Sequence, residues 1–113
     1  MAISTILNSN NLGDTGELVA GTSFGGTVYY RKRNGIVNVY MANTQLAGLT
    51  ANADNYLATL PNGYRPAKIY PMERLYSNNG FVYISNNGSI FIHTNSGITS
   101  GYMAFSILYV PND

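Results

Sequence analysis

With 113 residues the chain is long enough for one domain around a single core, and no second domain is expected. Cysteine is absent, which excludes disulfides and thiolate metal sites, and six Lys/Arg against five Asp/Glu leave +1, far from the basic excess that nucleic-acid binding requires. Only 10% of residues are charged while Tyr numbers ten and Gly twelve, so amides and phenols must cover much of the surface, which suits carbohydrate contact or a subunit interface.

Met1-Ala2-Ile3-Ser4-Thr5 shows no basic region leading into an apolar stretch, and no run of about 18 apolar residues follows, so neither a signal peptide nor membrane insertion is expected. Residues 1–16 alternate weakly at Ile3, Thr5 and Leu7 before a loop, and read equally as a short strand or as a linker into the domain. The β head domain is assigned to 17–113.

Thr27 to Arg33, Asn34-Gly35 and Ile36 to Met41 form a hairpin pattern with a type I′ turn. A two-residue loop pairs Lys32 with Val37, Tyr30 with Val39 and Val28 with Met41, which places Val28, Tyr30, Val37, Val39 and Met41 on the core face. Tyr29, Arg31, Asn38 and Tyr40 share the opposite face. The charge run Arg31-Lys32-Arg33 reads as a solvated hairpin tip, with a phosphate contact as the minor alternative.

From Ala42 to Asn55 the pattern lapses, and a loop or one helical turn fits before Tyr56 to Leu60. Leu60-Pro61-Asn62-Gly63-Tyr64-Arg65-Pro66 is dense in turn signals. Pro61 presets its φ at about −65°, Asn62-Gly63 tolerates positive φ, and Pro66 pushes Arg65 towards extended geometry. Ala67 to Tyr76 is extended but interrupted at Pro71, as an edge or bulged strand would be.

Asn78-Asn79-Gly80 turns the chain into Phe81 to Ser85, and Asn86-Asn87-Gly88 into Ser89 to His93. A three-residue loop pairs Ile84 with Ile90 and Val82 with Ile92, leaving Phe81, Tyr83, Phe91 and His93 together on an aromatic face. Gly88 would take the left-handed position of a bulged turn. Tyr102 to Val110 is apolar on both parities and is expected to be a central, doubly covered strand. Short strands separated by Gly/Asn turns, without a helical period, predict an all-β, antiparallel β-sandwich or β-barrel with low helix content.

Tyr30-Arg31-Lys32 with Gly35-Ile36-Val37, the Leu60 to Pro66 heptapeptide, Asn87-Gly88-Ser89-Ile90 and a closing strand at Tyr109 together resemble the C-terminal head domain of bacteriophage tail-fibre and baseplate receptor-binding proteins. The resemblance runs from about Val28 to Val110, although Val39-Tyr40-Met41 and Pro71 depart from the family pattern. It implies a homotrimer at the phage tail tip of the virion, assembled in the host cytoplasm among other phage tail proteins and binding saccharide on the bacterial cell surface. It also implies that Leu60, Pro61, Asn62, Gly63, Tyr64, Arg65 and Pro66 are structural rather than receptor-contacting.

Chemistry is sparse. Glycoside hydrolysis needs two carboxylates at about 5 to 9 Å, and Asp14, Glu17, Asp54, Glu73 and Asp113 show no pairing in sequence. His93 is the single histidine, so no catalytic constellation, metal or cofactor is expected. For sugar binding, Tyr83, Phe91 and His93 would supply the plane, with Arg74 and Asn78 supplying hydrogen bonds. Two other readings stand beside the phage adhesin: a structural module contacting only virion proteins, and a monomeric carbohydrate-binding domain of a bacterial enzyme.

Overall fold

The computed structural model describes residues 13–68, 70–72 and 80–112. Within them the chain forms β1 (Leu18–Ser23), β2 (Gly26–Arg33), β3 (Ile36–Ala47), β4 (Asp54–Thr59), β5 (Tyr70–Met72), β6 (Gly80–Ile84), β7 (Ser89–Thr94) and β8 (Ser100–Tyr109). They assemble into two four-stranded antiparallel sheets, ordered β1-β2-β3-β8 and β4-β7-β6-β5. Among the described residues the sheets are not joined into a closed barrel, and the architecture is that of a β-sandwich.

Alternation decides which residues meet between the sheets. Val28, Val37, Val39 and Met41 of the first sheet, with Val82, Ile84, Ile90 and Ile92 of the second, are almost wholly buried. Each such side chain stabilises the fold by about 2 kcal/mol of transfer free energy. Both hairpins adopt the expected registers: Lys32 faces Val37 and Tyr30 faces Val39, while Ile84 faces Ile90 and Val82 faces Ile92. Asn34 and Gly35 both have positive φ, 54° and 79°, as a type I′ turn demands.

Three elements depart from expectation. The stretch after Met41 is strand rather than loop or helical turn: β3 continues to Ala47 across a register shift between Met41 and Thr44, and that shift returns Leu46 to the core. β4 begins at Asp54, and its inward Asn55 is polar because it closes the preceding loop. The Asn55 amide accepts from Thr50 N at 2.8 Å and donates to Thr50 O at 3.0 Å, beside the buried Thr94 hydroxyl, which donates to the same carbonyl at 2.6 Å. Finally, β8 is not a central strand: among the described strands it pairs only with β3. Met103, Phe105 and Tyr109 point inward and are buried, whereas Tyr102, Leu108 and Val110 point outward and are exposed. Its outer face carries apolar side chains without being covered by a layer of this chain's described residues, which is why composition alone misplaces it.

β1 and β4 bring the two sheets together along one side. Each carries a register shift, between Val19 and Gly21 and between Tyr56 and Ala58. A Cβ placed on Gly21 would lie 3.0 Å from the Ala58 Cβ, so a side chain at 21 would force the strands apart. Ser23 Oγ donates across the gap to Leu57 O at 2.9 Å. Residues 13–17 are laid along β2 rather than hanging as a linker: Asp14 bridges Arg33, and Thr15 N donates to Lys32 O at 3.0 Å.

Candidate functional site: the aromatic face of the second sheet

Strand alternation sends Asp54 and Tyr56 of β4 and every second residue of β6 and β7 outward, and the register arranges them in two cross-strand rows. One row is Tyr56, Phe91 and Tyr83; the other is Asp54, His93 and Phe81. The rings interact throughout. Tyr83 and Phe91 stack at 5.2 Å with planes 22° apart, and Phe81 and His93 at 5.0 Å and 24°. Tyr56 meets Phe91 edge to face at 5.8 Å, and Phe81 lies 6.1 Å from Tyr83.

A separation near 5 Å is too short for rings lying flat side by side, so the inner rings overlap and give much of their faces to one another. Tyr56, at the β4 end and 49% exposed, keeps the most open surface. Its hydroxyl is held at 2.5 Å from Thr59 Oγ1, which fixes the ring.

One carboxylate ties the two rows together. Asp54 Oδ1 lies 2.7 Å from His93 Nδ1, and the Tyr83 hydroxyl donates to Asp54 Oδ2 at 3.1 Å. Burial, and then this hydrogen bond to Asp54, raise the Tyr83 pKa above the ordinary phenol value. Because a carboxylate only accepts, Nδ1 of His93 must carry the proton in that bond.

Comparison with other proteins adds no relative. No protein-family model and no curated protein matches this chain.

Of the site residues expected from sequence, Tyr83, Phe91 and His93 come together on this face. Arg74 and Asn78 lie outside the described residues. The sequence reading missed Tyr56 and Asp54, which arrive on the face only because β4 is a strand. The usable signal was the outward spacing of Asp54 and Tyr56, ahead of the inward Leu57. His93 was expected without an acid close in sequence, yet its ladder neighbour Asp54 is 39 positions away along the chain.

The Leu60 to Pro66 turn does not reach this face. Leu60 is fully buried, its N donates to Gly88 O at 2.9 Å, and its carbonyl accepts from Arg65 Nε at 2.9 Å. Gly88 has a φ of +88°, and a Cβ there would lie 2.6 Å from Leu60 O, so the β6–β7 turn tolerates no side chain at this point. On the other side, Lys32 Nζ donates to Gly63 O at 3.2 Å, Tyr30 packs edge-on to Tyr64 at 4.8 Å, and the Tyr109 hydroxyl donates to Tyr64 O at 2.5 Å. The heptapeptide therefore ties the second hairpin to β2 and β8.

On the outer face of the first sheet several polar groups are paired within the chain. Arg31 clamps Asp14 through two hydrogen bonds, Tyr40 donates to Glu17, and Ser106 Oγ donates to Asn38 Oδ1 at 3.0 Å. Arg31, Arg33, Ile36, Asn38, Tyr40 and Leu108 line an open depression there. The charge run is thus no free hairpin tip: Arg31 serves Asp14 and Lys32 serves the central turn.

Proposed function

We propose that the chain is a non-enzymatic attachment module that binds saccharide through the outer face of the second sheet. The observation that carries this reading is the joined set Tyr56, Phe91, Tyr83, Phe81 and His93 with Asp54 held among them. Sugars present C–H faces to aromatic rings and hydroxyls to fixed polar groups, and this face offers both kinds of partner within one patch. Asp54 is engaged by two partners, His93 and Tyr83, which holds its carboxylate in place as an acceptor for a ligand hydroxyl.

On the resemblance of the Tyr30 to Val37 hairpin and the Leu60 to Pro66 turn, we place the module at a phage tail tip, acting as a homotrimer on the host cell surface. A purely structural module is the second reading. It is favoured by the exposed Ile36 and Leu108 of the first sheet and Val110 just beyond it, which suit contact with another protein.

The test is adhesion of the protein to host cells, with solution mass followed by light scattering. Tyr56→Ala and Tyr83→Ala are expected to lose cell binding at unchanged oligomer mass. Retained binding by both variants would reject the face, and failure of the unmodified protein to bind any cell would favour the structural module. A concentration-independent melting temperature would count against an obligate trimer.

A further inference from the structure

We infer that this face selects sugars by their hydrogen-bond donors, and that an amine-bearing saccharide is bound in preference to a matched acidic one. The inference rests on the saccharide reading above and specifies its ligand. Asp54, 49% exposed at its side chain, keeps lone pairs beyond those used by His93 and Tyr83. His93 has given its Nδ1 proton to Asp54, so in the neutral ring Nε2 is an acceptor, and that atom has no partner among the described residues. The Tyr83 hydroxyl has spent its proton on Asp54 and presents only oxygen lone pairs.

With the His93 ring neutral, the described polar atoms from Asp54 through His93 to Tyr83 are oriented as acceptors. A hydroxyl or an ammonium group supplies the missing donors. A carboxylate or phosphate brings acceptors against acceptors and a charge of the same sign as Asp54. Of the described cations, Arg31 and Arg33 pair with Asp14, Lys32 donates to Gly63 O, and Arg65 donates to Leu60 O.

The experiment is titration calorimetry of the unmodified protein at neutral pH and low salt with three oligosaccharides of equal length, built of glucosamine, N-acetylglucosamine or galacturonic acid. The expected order of affinity is amine over neutral over acidic, each step about threefold to fivefold because Asp54 is partly solvated. Added salt should erode the amine preference and leave the neutral oligomer unchanged. Asp54→Asn should bring the amine and acidic oligomers within about twofold of each other. Because that variant disturbs the contacts to His93 and Tyr83, the salt series in the unmodified protein gives an independent reading. Equal or tighter binding of the acidic oligomer would overturn the donor rule while leaving saccharide binding intact. Binding of none of the three would remove the saccharide reading and this inference with it.

Discussion

On the first sheet Tyr29 and Tyr40 stack across β2 and β3 at 5.6 Å with planes 23° apart; on the second, Tyr83 and Phe91 stack across β6 and β7 at 5.2 Å and 22°. The ring pairs are nearly the same object in two settings. Around Tyr40 the chain brings its own 13–17 segment, so Glu17 takes the phenol proton and Asp14 takes Arg31. Around Tyr83 the only described acid comes from β4, and the acceptors it organises face outward. Local polar partners, rather than the stack itself, distinguish a face closed by its own chain from one whose acceptors point outward.

The largest expected effect concerns what the two faces share. Leu60 is fully buried where the central turn joins both sheets, and Leu60→Ala should cost about 3 kcal/mol of stability. Because both sheets pack on that core, tyrosine fluorescence and far-ultraviolet circular dichroism should report one common transition at lower denaturant. Separate transitions would mean that the faces are independently stable and that the comparison is between two units, not one.

The next effect separates the faces. Tyr56→Ala should weaken oligosaccharide binding about fivefold to tenfold, the scale of one lost aromatic contact. Tyr29→Ala on the other sheet should change it by less than about twofold. Calorimetry on the oligomer bound tightest by the unmodified protein decides the matter, and a larger loss from Tyr29→Ala would move the site to the first sheet.

How much of this could be read from sequence follows from the turns. Asn34-Gly35 and Asn86-Asn87-Gly88 announce their hairpins, and apolar alternation then fixes both registers to the residue. The β1–β2 turn is silent because it is Phe24-Gly25: Phe24 holds a φ of 55°, at a cost of about 1 to 2 kcal/mol, and is retained because its ring packs on the core. β4 is masked by Asn55, a polar residue at an inward position. Without β4, Asp54 and Tyr56 could not be placed, so the aromatic half of the candidate site was legible and its carboxylate was not. β8 misled for the opposite reason, since Leu108 and Val110 are as apolar outward as Met103 and Phe105 are inward.

Alkali should sharpen the contrast on the first sheet. Burial, and then the hydrogen bond to Glu17, push the Tyr40 pKa up to about 12, against about 10 in an unfolded chain. A raised folded pKa means that this contribution to stability is fully present below about pH 10 and is lost as pH rises through the folded value. Tyr40→Phe should remove that segment of the stability profile. Ultraviolet titration should show one fewer late tyrosinate in the variant, with Tyr30 and Tyr83 still raised in both proteins, and an unchanged titration would show that Glu17 and burial do not hold the phenol.

Acid should give the smallest effect, with the opposite sign. The Arg31 guanidinium, and then Gly16 N, hold the Asp14 carboxyl well below the usual carboxylate range. A lowered folded pKa gives stability that is present above the unfolded value of about 3.9 and lost only as pH falls through the folded one. Asp14→Asn should therefore lower the urea midpoint slightly at neutral pH, and the two proteins should converge only in strong acid. The effect is small because the pair is about one-third exposed and water already screens it. Oligosaccharide affinity should not move, since Asp14 sits on the face that the chain closes for itself. A change in affinity with Asp14→Asn would mean that the clamp on Arg31 reaches the ligand, and that the first sheet is not the closed face its hydrogen bonds describe.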